Sequence, residues 1–137
     1  MEAKELRIGN VVFVENEKHR PNSKNTDHIV INVGLIDCRV KNTLTGEEFG
    51  QYYKFIKPIP ITEDWLLKFG FELSLNNWYG GKGIHVNGRV IWLMKVDYDK
   101  KYRVHLTDTS ICHVKHVHEL QNLYFALTGK ELQISDN

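Results

Sequence analysis

A chain of 137 residues is long enough for one domain, or for two small ones sharing a core. Its 18 Lys and Arg against 17 Asp and Glu leave a formal charge of +1, and the balance holds locally: 9 basic and 8 acidic groups in residues 1–61, 9 and 9 in residues 62–137. That excludes a strong overall field toward nucleic acid or an anionic membrane, though not a local basic patch, while two cysteines, Cys38 and Cys112, are too few for a disulfide framework and point to a reduced, cytoplasmic protein.

The opening MEAKELRIGN is charged and lacks the apolar stretch of a signal peptide. No apolar run approaches the length of a membrane span; the longest, Val90–Met94, suits a buried strand. Val11–Val14 reads as a strand after a short lead-in. The polar stretch from Glu15 to His28, with Pro21 and Asn22-Ser23, is a long connection expected to be mobile, and nothing in it has ligand spacing. From Ile29 to Val40 the apolar residues alternate, first at Ile29, Ile31 and Val33, then at Ile36, Cys38 and Val40. That change of parity predicts one bent strand with an irregular ladder or a sharp bend within about two residues of Gly34. Asn42–Glu48 is a turn, and Phe49–Ile56 a further strand. Together these pieces predict a small, bent, SH3-like β-barrel portion over residues 1–58.

Lys57-Pro58-Ile59-Pro60-Ile61 is an extended connector, because proline cannot donate to a ladder. Thr62 caps a short helix, EDWLLKF, with Glu63 and Asp64 in its first turn and Gly70 as its stop. Trp65, Leu66 and Phe69 share its core face. Turns are expected at Asn76-Asn77, at Gly80-Gly81-Lys82-Gly83, at the hairpin dipeptide Asn87-Gly88 and at Asp97–Lys101. Val90–Val96, apolar on both faces, should be a central strand. Tyr102, Val104 and Leu106 mark a half-exposed one, and Ile111–Lys115 a last one. The closing stretch, Val117–Gly129, is the clearest amphipathic helix. At about 100° per residue, Leu123, Leu127, Leu120, Tyr124 and Val117 form one stripe, and His118, Asn122, Ala126 and Glu119 lie opposite. Burial of the stripe against the second-half sheet would contribute roughly 7–15 kcal/mol at most. Residues 59–137 thus read α-β-β-β-β-α, an antiparallel meander flanked by two helices, and the whole chain is α+β.

Chemistry is sparse. Cys112-His113-x-x-His116-x-His118 has metal-ligand residue types but no standard zinc spacing, and on a strand Cys112 and His113 point opposite ways, so no metal is expected. The glycine loop at 80–83 lacks the spacing and the following helix of a phosphate-binding loop. No nucleophile has an identifiable base, so no catalytic residue and no cofactor are assigned. Aromatics interleaved with cations are the remaining signal. Tyr52, Tyr53, Lys54 and Lys57 on one strand, and Lys100, Lys101 and Arg103 around Tyr102 at one turn, are candidate contacts to a nucleic acid or another partner.

Three stretches carry a resemblance: Leu6-Arg7-Ile8-Gly9-Asn10; Pro58-Ile59-Pro60-Ile61-Thr62 through Trp65-Leu66-Leu67-Lys68-Phe69-Gly70-Phe71; and Val117-His118-Glu119-Leu120-Gln121-Asn122-Leu123-Tyr124-Phe125-Ala126-Leu127-Thr128-Gly129. They resemble a family of small uncharacterised proteins of Bacteroidetes-type bacteria and their phages or prophages. The resemblance implies a phage or mobile-element accessory protein and brings no catalytic residue with it. The expected function is a non-enzymatic protein-binding or adaptor module. The alternative is a nucleic-acid-binding accessory protein, and an enzyme comes third.

Overall fold

A computed structural model describes residues 1–74, 78–80, 85–86, 88–96 and 100–134. The turn expected at Asn76-Asn77, the loop residues Gly81-Lys82-Gly83, Asn87 and residues 97–99 of the next turn lie outside the described residues. The protein is α+β, with one curled antiparallel half-barrel, one antiparallel meander and, among the described residues, two α-helices. Met1–Ile59 with Val117–Asn122 form one compact unit, and Pro60–His116 with Leu123–Asn137 form the other.

In the first unit five strands, β1 (Val11–Val14), β2 (Asp27–Val33), β3 (Asp37–Asn42), β4 (Glu48–Tyr52) and β5 (Ile56–Lys57), lie in the order β4-β3-β2-β1-β5. A 3-10 turn at Tyr53–Phe55 returns the chain to pair with β1, which gives the SH3-like connectivity. Leu6, Val12, Val14, Val30, Cys38, Val40, Phe49 and Ile56 form the core. Two expectations need correction. The stretch from Ile29 to Val40 is a hairpin and not one bent strand. The expected sharp bend is at Gly34, but there the chain reverses: the Gly34 N–H donates to the Asp37 carbonyl at 2.9 Å, and Leu35 and Ile36 stand exposed at the tip. The irregular pairing sits one step earlier, between Val30↔Val40 and Asn32↔Arg39. Ile31 is the extra residue, so the inward set passes from His28 and Val30 to Val33. Likewise Phe49–Ile56 is no single strand, because the 3-10 turn interrupts it.

The connection after β1 is tied down. Asn16 and Ser23 are buried, Asn16 Nδ2 donates to Gln51 Oε1 at 3.4 Å, and Arg20 pairs with Glu47 while lying 4.0 Å over the Phe49 ring. The β3–β4 turn is organised by Asn42, whose Oδ1 accepts from the N–H groups of Leu44 and Thr45.

The second unit opens on α1 (Glu63–Lys68). Thr62 Oγ1 accepts from Trp65 N–H at 3.4 Å, and Gly70, at φ +91°, ends the helix so that Phe71 N–H reaches the Leu66 carbonyl at 2.9 Å. Trp65, Leu66, Phe69 and Phe71 are buried, as their spacing predicts. Then come β6 (Glu72–Leu73), β7 (Trp78–Gly80), β8 (His85–Val86), β9 (Arg89–Val96), β10 (Lys101–Leu106) and β11 (Thr109–Val114). The order is β11-β10-β9-β7-β6, with β8 paired to the start of β9. The apolar run thus becomes the central strand. Val86 pairs with Arg89, and Gly88, just before β9, has φ +78°. Tyr79, Ile91, Leu93, Tyr102, Val104 and Val114 are buried, and the register puts their side chains on the core side of the sheet.

The closing helix, α2 (Val117–Thr128), departs from its amphipathic reading. Val117 and Leu120 are buried, but Leu123, Tyr124 and Leu127 are only half-buried, whereas His118 and Gln121 are buried. Val117–Asn122 belongs to the first unit, so the expectation that Leu120 is buried in the second-half portion is corrected. Gln121 Oε1 accepts from Val11 N–H at 2.9 Å, and its Nε2 donates to the Gly9 carbonyl at 3.1 Å. Asn122 Oδ1 accepts from Arg7 at 2.9 Å and from Asn10 Nδ2 at 2.8 Å, while its Nδ2 donates to the Glu5 carbonyl at 3.0 Å. Asn122 is therefore a structural residue and not part of a free polar face. The reason is chemical. A hydrophobic stripe cannot register two amides that pair with backbone.

Candidate binding face on the second sheet

Register fixes which side chains share a face. Trp78 pairs with Met94, Met94 with Arg103, Trp92 with His105, and Val96 with Lys101. All lie on the side of the second sheet opposite its core residues, because Tyr79, Leu93 and Val104 alternate with them. Trp78, Trp92, Met94, Lys101, Arg103 and His105 are each half-buried. The Trp92 ring lies on Gly80, where a Cβ would come within 2.5 Å of it. The Trp78 ring meets His105 edge-on at 4.7 Å between centroids. A cleft of about 270 Å³ on this face is lined, among the described residues, by Ser74, Trp78, Trp92 and Thr107. Thr107 has φ +57° at the first position of the two-residue turn closed by Leu106↔Thr109, a place that suits glycine. A β-branched residue there is strained, and such strain collects at functional sites. Burial, and next the nearby Arg103, lower the pKa of His105, so the ring is neutral at neutral pH.

The residues singled out in the sequence fall in two separate places. Tyr52 ends β4, exposed; Tyr53 and Lys54 are in the 3-10 turn; Lys57 is half-buried in β5. They do not share one strand. Tyr53 is engaged, its hydroxyl donating to the Gly34 carbonyl at 2.5 Å, and Lys54 lies 5.0 Å over the Phe55 ring. In the second unit Lys100 is exposed at φ +52°, and Lys101 and Arg103 lie on the face just described. Tyr102 points the other way and is buried, edge-on to Tyr79, so it is no stacking platform. The aromatics that accompany Arg103 are instead Trp78 and Trp92. Sequence reasoning missed them because they come from separate strands and an aromatic on a strand reads as core. The signal available was parity: Trp92 alternates with Ile91 and Leu93 and so had to face away from them.

Cys112 stands opposite Val104 and His113 opposite Arg103, so consecutive residues of β11 point to opposite faces. Among the described residues no group of three or more His, Cys, Asp or Glu comes together as a metal site. The buried Cys38 thiol is pushed up to about 11 by burial and then by Asp37, so it is neither a thiolate nucleophile nor a ready ligand at neutral pH. Among the described residues no helix is long and apolar enough to cross a membrane. No protein-family model matches this chain, and comparison with curated proteins and with solved structures finds no match either.

Proposed function

We propose that the chain is a non-enzymatic binding module whose contact surface is the outer face of the second sheet. The observation that carries this is the pair of half-buried tryptophans beside an open cleft, on the side of the sheet away from its core. A lone exposed aromatic is ordinary, whereas a cleft with two of them and a few polar groups is the usual form of a recognition site. The cleft is small, of a size for one ring rather than a whole metabolite. Its described lining has two indoles and two hydroxyls and no carboxylate or thiolate, which supports binding over catalysis. The setting in a phage or mobile element, and a cytoplasmic location, belong to the same reading. They are supported by the three motif stretches and by two cysteines that remain thiols.

The test is capture from cells that make the protein, with wild type against Trp78→Leu and Trp92→Leu variants whose circular dichroism matches wild type. A species retained by wild type and lost by both variants is the expected result. Equal retention by all three would remove this face as the contact surface.

A further inference from the structure

We infer that the occupant of this face is a single-stranded nucleic acid, one base lying in the tryptophan cleft and the adjoining phosphates meeting Arg103 and then Lys101. The inference rests on reading this face as the contact surface. Three observations choose this occupant over an apolar protein segment. The first is the kind of surface in the cleft. The Trp92 ring is packed against Gly80 and Trp78 is braced by His105, so both indoles are held by packing before any ligand arrives. Pre-positioned flat rings suit base stacking, which is tolerant of sequence because every base has a π-face. The second is charge. Arg103 lies one strand across from Met94 and two residues from His105, and Lys101 continues the same row. Glu72, opposite Gly80 on the edge strand, is a carboxylate on this face away from the row of Arg103 and Lys101. The core of a protein-binding patch is depleted of charge, whereas a strand-binding groove sets cations beside stacking rings. The third is polarity at the cleft. Ser74 and Thr107 present hydroxyls, each a donor and an acceptor, within reach of a base edge. Thr107 is held there at positive φ, where glycine would relieve the turn. The overall charge of +1 fits this picture, since it limits non-specific binding and leaves a local patch to act.

The experiment is titration of the purified full chain with an oligothymidylate of a dozen residues, followed by tryptophan emission and by anisotropy of a labelled copy. Saturable quenching is expected, with affinity falling steeply between about 50 and 200 mM salt. Trp92→Leu should weaken binding about tenfold or more, the worth of one stacked base. Arg103→Gln, on a half-exposed strand position that leaves the core intact, should lower the salt slope by about one. Thermal melts of both variants show whether they remain folded, and Arg103→Gln keeps the test decisive if Trp92→Leu does not. Equal affinity for a duplex of the same length, or no effect of either substitution, would overturn the inference. If no oligonucleotide binds while capture from cells still depends on Trp78 and Trp92, the nucleic acid is wrong and the binding module stands, with a protein as its partner. If both experiments fail, both readings fall.

Discussion

At position 80 the whole cleft depends on a missing methyl group. A Cβ there would lie within 2.5 Å of the Trp92 ring, closer than packed atoms come, so the indole would have to swing off the sheet. Gly80→Ala is therefore expected to cost about 1–3 kcal/mol through overpacking and to abolish ligand quenching of tryptophan emission. Urea unfolding with an unchanged slope measures the first effect; a variant as stable as wild type would mean that the ring has room to move. A second residue, His28, fixes a pH dependence. It is fully buried on β2, its Nδ1 lies 2.8 Å from the Thr26 carbonyl, and its ring meets Phe49 edge-on. Nδ1 is then the donor, and Nε2 has no hydrogen-bond partner among the described residues. Burial lowers the pKa from the ordinary 6.5, against the smaller opposing pull of the Thr26 bond and of Asp27 and Glu47. The sign follows from proton counting. Well above pH 6.5 both folded and unfolded chains carry neutral imidazole, and the stability is whole. Below it the unfolded chain takes up the proton first, so stability falls as pH drops toward the folded pKa. Denaturant midpoints between pH 7.5 and 5 should fall for wild type and fall less for His28→Leu. Parallel slopes would mean that His28 is not responsible.

Elements differ in how much of themselves they write into the sequence. The helix α1 was legible end to end, because its cap, stop and core face all use short-range signals at Thr62, Gly70 and Phe71. The central position of β9 was legible too, from an apolar run that needs cover on both faces. The β2–β3 hairpin was not. Its tip is Gly34-Leu35-Ile36, and two exposed aliphatics continue the alternation without any Asn, Asp or Pro to announce a turn. In α2 the apolar stripe was right at Val117 and Leu120 but not at Leu123, Tyr124 and Leu127, which are only half-buried, and the inference about its polar side was wrong. Gln121 and Asn122 look solvated by type, yet together they satisfy Val11 N–H, the Gly9 and Glu5 carbonyls and the Asn10 amide. The candidate face needed long-range register, which places Trp78, Trp92 and Arg103 side by side from three strands. The corrected helix makes its own prediction. Gln121→Ala should cost about 1–3 kcal/mol, since it strands the buried Val11 N–H and the partly buried Gly9 carbonyl. Leu123→Ala, only half-buried, should cost less than about 2 kcal/mol, below the range for full burial. Ala126→Ser, exposed, should stay within about 0.5 kcal/mol. Chemical unfolding ranks the three, and a Gln121→Ala variant as stable as wild type would mean that the amide bonds contribute nothing net.

For the molecule as a whole, chain order and compact unit do not coincide. The first unit takes its five strands from Met1–Ile59 and its last segment, Val117–Asn122, from the other end of the sequence. Val117 N–H bonds to the Ile59 carbonyl at 2.9 Å, and the Gln121 and Asn122 amides close over Glu5 to Val11. Residues 5–11 and Val117–Asn122 are thus the two halves of one hydrogen-bonded joint. A fragment of residues 1–60 keeps every strand of the curled sheet but loses that joint. The buried Val11 N–H and Asn10 amide would then be orphaned at about 1–3 kcal/mol each, against a total stability of roughly 5–15 kcal/mol for a typical domain. The fragment alone should therefore show a collapsed, poorly dispersed amide NMR spectrum. Fusing residues 115–130 to it through a flexible glycine-serine linker should restore dispersion, and the same fusion carrying Gln121→Ala and Asn122→Ala should not. The double variant isolates the amides from Val117 and Leu120, which remain in it to supply the apolar contribution. A fully dispersed spectrum from residues 1–60 alone would show that the curled sheet closes without the helix, and the joint would then be an attachment rather than part of the fold.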